Sequence, residues 1–274
     1  MTDRNSPCPC MSGLKYKKCC LKREFILKHI PCQTYIESYA LQNLLASSPE
    51  FKSFYNTERS KIRRNIIWAH DPELNSNVRA TYLFKPKEHL LAFSTLPIPP
   101  DDGFDTAHEL QHFICSEEGY PSVGISDILM QTSTNLASAL SSALNDPIAN
   151  KRLVPFGFDL WAQYDQASTN EKKYFESTDE PQAPTEKLYS TAFYISKTLN
   201  WDVSCLFSPR KKNDFLEWYD AKFPNFSKEA KESLALVRKI GYETPEEATA
   251  VFTELIARFE LDKSLKIITY PFDE

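Results

Sequence analysis

Four cysteines fall within thirteen positions near the start of the chain: Cys8, Cys10, Cys19 and Cys20. No other feature restricts local folding so tightly. The segment that holds them, residues 1–24, is too short and too polar to bury a core, so a cross-link has to supply its folding free energy. Disulfides would do this only in an oxidising compartment. Met1–Asn5 runs straight into Ser6-Pro7-Cys8 with no apolar stretch of the secretory kind. The expectation is therefore a reducing, cytoplasmic setting in which the four thiolates close around one zinc ion. Pro7 and Pro9 stiffen the approach, and Ser12-Gly13 sits where the loop must reverse.

The run from Ser6 to Cys20, Ser-Pro-Cys-Pro-Cys-Met-Ser-Gly-Leu-Lys-Tyr-Lys-Lys-Cys-Cys, resembles the SEC-C motif, the zinc knuckle also found at the C-terminus of the SecA translocation ATPase. Met11 stands where that family usually has Gly, and all four ligands are kept. The resemblance implies one structural zinc and a docking role toward a protein or a ribosome. Charge points the same way. Residues 1–30 hold seven basic side chains against two acidic ones, so the chain's net −5 divides into +5 there and −10 beyond. A basic knob of this kind suits an acidic protein, a ribosome surface or RNA, with Tyr16 available for stacking.

The remaining residues, 25–274, are long enough for one sizeable core, and 18 Phe, 13 Tyr and 4 Trp can fill it. No apolar run approaches the roughly 20 residues that span a bilayer, so no membrane role is expected. Gln33–Ser47 reads as a helix with Tyr35, Tyr39, Leu41, Leu44 and Leu45 on one stripe. Arg79–Phe84 and His89–Leu96 read as strands joined by Lys85–Glu88, and Pro97, Pro99 and Pro100 end the second. A helix opens near Phe104 or Asp105 and stops at Gly119-Tyr120-Pro121. Another runs from Asp127 to Leu144 and halts at Asn145-Asp146-Pro147. Helical patterns recur at about 185–199, 211–220, 228–239 and 244–260, with a closing strand over 265–270. The predicted fold is α+β: a mostly helical, zincin-like domain with a small antiparallel sheet, preceded by the knuckle.

His108-Glu109-Leu110-Gln111-His112 carries the chemistry of the larger domain. Residues four apart share a helix face, so both imidazoles can reach one metal ion, and Glu109 beside them can act as a general base. The pattern resembles the active helix of zinc metallopeptidases, above all the small intracellular ImmA/IrrE-type proteins. Asp105 is unusual at its position, where zincins tend to have Val or Thr. A catalytic zinc needs a third protein ligand. The helix that follows offers no Glu, which makes Asp146 the first candidate, then Glu118 and Glu186. Glu117 and Glu118 sit at or past the end of the histidine helix. Tyr120, Tyr164, Tyr189 and Tyr194 are candidates for oxyanion stabilisation. Cys115 follows the motif by three and reads as core packing. The sequence thus supports a zinc-dependent intracellular peptidase acting on a protein or peptide, with an N-terminal docking knuckle. The alternative is a non-catalytic zinc-binding adaptor that docks on a protein, ribosome or RNA partner.

Overall fold

The computed structural model of the protein describes residues 3–9, 14–19, 33–83, 88–126, 131–160, 172, 175–203 and 209–270. Cys10, Cys20, Cys32, Cys205, Asp127, Tyr164, most of the Lys85–Glu88 turn and the expected boundary at residue 24 lie outside them. The chain divides into two compact units, residues 1–114 and 115–274.

The first unit contains β1 (Gln33–Tyr35), α1 (Glu37–Ala40), α2 (Gln42–Ser47), α3 (Pro49–Glu58), β2 (Ile66–His70), β3 (Val78–Leu83), β4 (Glu88–Phe93) and the start of α4 (Gly103–Glu117). Its sheet has the order β1-β2-β4-β3. β1 pairs antiparallel with β2, and β3 antiparallel with β4, but β2 and β4 run parallel. The expected sheet is thus mixed rather than purely antiparallel. β2 accounts for this: Ile66, Ile67, Trp68 and Ala69 are all buried. A continuous apolar run suits a central strand covered on both faces. Gln33–Tyr35 is strand where helix was expected, because pairing across to His70, Ala69 and Trp68 outweighs a weak helical stripe. Ser48 caps α3 by accepting from the Phe51 N–H. Gly103 passes so close that a Cβ there would sit 2.9 Å from the Ser48 hydroxyl. That approach brings the start of α4 against α3.

The second unit contains the end of α4, β5 (Ser122–Ile125), α5 (Gln131–Leu153), α6 (Pro184–Val203), α7 (Pro209–Lys222), α8 (Ser227–Ile240), α9 (Pro245–Arg258) and β6 (Leu265–Ile268). One apolar cluster joins these elements, with Leu140, Leu144, Leu188, Ile195, Phe215, Tyr219, Phe252 and Leu255 among its fully buried members. Cys115 belongs to it. α9 carries a complete capping box between Thr244 and Glu247. α5 does not halt at Asn145-Asp146-Pro147 but continues to Leu153 with Pro147 inside it. Pro147 to Asn150 are buried, and Asn150 Nδ2 donates to Asn200 Oδ1 of α6 at 2.9 Å. Packing against α6 holds the helix together through a residue that removes one of its hydrogen bonds. No helix among the described residues is long and apolar enough to cross a membrane.

Candidate metal centre

α4 places its side chains by helical period. Ala107, Leu110, Phe113 and Ile114 are buried at spacings of three and four. His108, Glu109 and His112 take the half-exposed flank. The helix starts where Pro99 to Asp102 tighten into a single turn, and Thr106 Oγ1 donates to the Asp102 carbonyl at 2.8 Å. On its buried side, Phe113 stacks on His89 of β4 at 4.1 Å between ring centroids.

His108 and His112 approach each other with their Nε2 atoms 3.0 Å apart. Two nitrogens held about 2.0–2.1 Å from a tetrahedral zinc stand about 3.3 Å apart, so the observed pair needs only a small adjustment to receive one. Asp146 lies on α5, in the second unit. Two imidazoles are borderline donors suited to zinc.

The polar neighbours of this group come from the edge strand β3. Glu109 Oε2 accepts the backbone N–H of Ala80 at 2.9 Å. Asn77, just before β3, donates from Nδ2 to Asp102 Oδ1 at 2.8 Å. Burial pushes the Asp105 carboxyl above its ordinary range, while nearby His108 and a hydrogen bond from Asn77 pull it back. Burial likewise raises Asp102, with Asp105 adding to the effect and Asn77 opposing it. Asn77 and the Ala80 N–H are absent from the sequence-derived candidates.

The other acidic candidates are engaged elsewhere. Glu118 pairs with Arg152 at 2.7 Å. Glu186 is exposed and accepts the backbone N–H groups of Gln182 and Ala183 at the start of its own helix. Glu117 is buried, 5% exposed. Among the tyrosines, Tyr120 gives its hydroxyl to the Glu243 carbonyl, Tyr194 is buried in the second unit's core, and Tyr189 packs against Phe175.

In the N-terminal segment the chain returns on itself. Pro7 bridges Lys15, the Cys8 N–H reaches the Leu14 carbonyl at 2.7 Å, and the Tyr16 N–H reaches Ser6 at 2.9 Å. Cys8 is buried and Cys19 half-buried. Leu14, Lys15, Lys17 and Lys18 are exposed.

Compared with known protein families, the chain matches the SEC-C motif over residues 4–22. The chain matches no curated protein and no solved structure. The motif points to zinc binding by the first segment. The histidine pair on α4 stands on its own geometry.

Proposed function

We propose that this protein is a zinc-dependent peptidase whose N-terminal knuckle holds a second, structural zinc and docks a partner. The observation that carries the reading is the approach of His108 Nε2 and His112 Nε2 to 3.0 Å on one face of α4, with Glu109 beside them. When bound, zinc would supply a Lewis acid for the scissile carbonyl and the acidification of water. Glu109 performs the proton work. Its Oε2 is held by the Ala80 N–H, which fixes the carboxylate and leaves Oε1 to take a proton from the attacking water and return it to the departing amine. β3, as an edge strand, offers backbone groups to an extended peptide.

A second reading is favoured by the knuckle's surface. Leu14 is 52% exposed and is followed by exposed Lys15, Lys17 and Lys18. An apolar tip among lysines suits an acidic protein, a ribosome or RNA, and it would serve an adaptor as well as an enzyme.

The test is the zinc content of the purified full chain, compared with a His108→Ala/His112→Ala variant and a Cys8→Ser/Cys10→Ser variant. The proposal expects two zinc ions per chain, one lost in each variant. It also expects Glu109→Gln to keep both ions and lose peptide hydrolysis. A wild-type chain that binds only the zinc lost in the cysteine variant, even when dialysed against added zinc, would leave the adaptor reading in place and remove the peptidase.

A further inference from the structure

We propose that the second unit binds a small organic ammonium ion, a primary amine on an apolar stem, in the cavity at the start of α6. The cavity has a volume of about 550 Å³, and the described residues that line it all belong to that unit. Its size is that of a small-molecule site.

Wall and rim differ in character. Leu136 of α5, Phe175 and Tyr189 of α6 supply an apolar wall, with the two rings 6.2 Å apart between centroids. Asp179, Glu180 and Glu186 supply three carboxylates, and none of the described lining residues is basic. Lys187, next to Glu186 in sequence, pairs instead with Glu229 of α8 at 3.6 Å. Charge of one sign above a low-dielectric wall focuses its potential into the cleft. Aromatic faces attract cations as well.

Two of the carboxylates are fixed. Glu180 accepts the backbone N–H groups of Asn225 and Phe226 at 2.7 and 2.8 Å, and the Asn225 side chain at 2.7 Å. Glu186 accepts the N–H groups of Gln182 and Ala183 at 3.0 and 3.1 Å. These bonds hold both carboxyls below their ordinary range, the Asn225 side chain acting most on Glu180 and the Gln182 N–H most on Glu186. All of these donors are neutral, so the negative charge persists. The Glu186 bonds also set the sign of the ligand. A helix start commonly favours anions. Here a carboxylate already takes the N–H groups just ahead of α6, and Pro184 at its first position has none to give.

Ser190 points to an occupant. It is buried, 3% exposed, yet it lines the cavity. The buried helical hydroxyls of Thr198 and Ser233 return to the carbonyl four residues earlier. Ser190 does not. Its carbonyl takes the Tyr219 hydroxyl at 3.2 Å, and its own hydroxyl has no partner among the described residues. Leaving such a group unsatisfied costs free energy that a ligand recovers. Glu186 and Ser190, four apart, share one face of α6. An ammonium group there donates to Ser190 Oγ and faces the Glu186 carboxylate, while its stem lies against Tyr189 and Phe175.

The experiment is ligand-detected NMR titration of the full chain at neutral pH with phenethylamine, 2-phenylethanol and phenylacetate. The three share a ring and a short stem and differ in charge. Phenethylamine should bind once per chain, about tenfold more tightly than the alcohol, and phenylacetate should not bind. Ser190→Ala should weaken the amine about tenfold and leave thermal unfolding unchanged, since it removes a hydroxyl that bonds nothing described. Asp179→Asn/Glu186→Gln keeps acceptors for the Gln182 and Ala183 N–H groups and should bring the amine to the alcohol's affinity. Glu254→Gln, which removes an exposed charge from α9, should change nothing. Equal affinity for amine and alcohol in the wild type would overturn the proposal. So would an amine affinity untouched by Ser190→Ala and by the double variant, which would place the cation elsewhere on an acidic chain. No broadening of any of the three at millimolar concentration would mean that the cavity holds only water, and the proposal fails.

Discussion

Glu109 on α4 and Ala80 on β3 are joined by a hydrogen bond of 2.9 Å from a backbone N–H to a carboxylate oxygen. Ala80 lies opposite Leu91 in the β3–β4 register, and its N–H is directed away from that ladder. The substitution Ala80→Pro therefore removes one donor and leaves the pairing with β4 in place, because an edge position tolerates proline. Hydrogen bonds to charged groups contribute about 1.5–3 kcal/mol, and urea denaturation should show a loss in that range. Glu109→Gln keeps an acceptor and should cost less than about 1 kcal/mol. Equal stability of Ala80→Pro and wild type would show that the bond contributes nothing to the fold.

Glu37, Tyr55 and Arg59 form a second polar junction in the first unit. Tyr55 donates to Glu37 Oε1 at 2.9 Å, and Arg59 grips both oxygens of the same carboxylate. Burial, reinforced by the Glu37 charge, pushes the Tyr55 phenol up to about 12 from its ordinary 10.0. A phenol whose pKa rises on folding holds its proton more tightly in the native chain than in the unfolded one. Its stabilising contribution is complete below pH 10 and drains away between pH 10 and about 12, as the unfolded tyrosine ionises first. Tyr55→Phe should lower stability at pH 8 and lose less than the wild type does between pH 9 and pH 11. Parallel pH curves for the two proteins would contradict this.

Much of α4 can be read directly from residues 103–119. The histidine spacing, the buried Ala107, Leu110 and Phe113, and the acids at its start are all local signals. Asp146 is reached from sequence as a residue at a helix end, yet it sits well inside α5. Local rules read Pro147 as a stop, whereas the contacts α5 makes with α6 lie some fifty residues away in sequence, as with Asn150 and Asn200. The same reason hides the strand at Gln33–Tyr35 and the parallel pairing of β2 with β4, which depend on partners distant in the chain. Ala80 is invisible for a different reason. Its contribution is a backbone N–H, and only strand register determines where such a group points.

Gly124 of β5 faces Ile268 of β6. A Cβ at Gly124 would meet Ile268 Cδ1 at 2.1 Å and Cγ1 at 3.1 Å, so the isoleucine must move out of its rotamer or the strands must part. Gly124→Ala should cost about 1–3 kcal/mol in the wild-type background, as overpacking does. In an Ile268→Ala background the same change should be close to neutral, since the obstructing methyl is gone. A double-mutant cycle measures that coupling. An identical cost in both backgrounds would place the glycine's role in its backbone rather than in the space it leaves.

The N-terminal segment should depend on its metal for every hydrogen bond it makes. Cys8 N–H to Leu14, Tyr16 N–H to Ser6 and Lys17 N–H to Arg4 close its loop, yet Cys8 is the only residue of residues 3–9 and 14–19 that is buried. So small a core cannot offset the entropy of ordering these residues, which is about 1–2 kcal/mol for each backbone fixed. Four thiolates around zinc can, and their removal should unfold the segment. Hydrogen exchange followed by mass spectrometry should find the Cys8, Tyr16 and Lys17 amides protected in the zinc-loaded chain and exchanging freely after strong chelation. The β2 and β4 amides, held by a sheet that needs no metal, should keep their protection. Persistent protection at Cys8 and Tyr16 without zinc would mean that the loop is held by contacts with the rest of the chain, of which Gln33 Nε2 to the Pro9 carbonyl at 3.2 Å is the visible example.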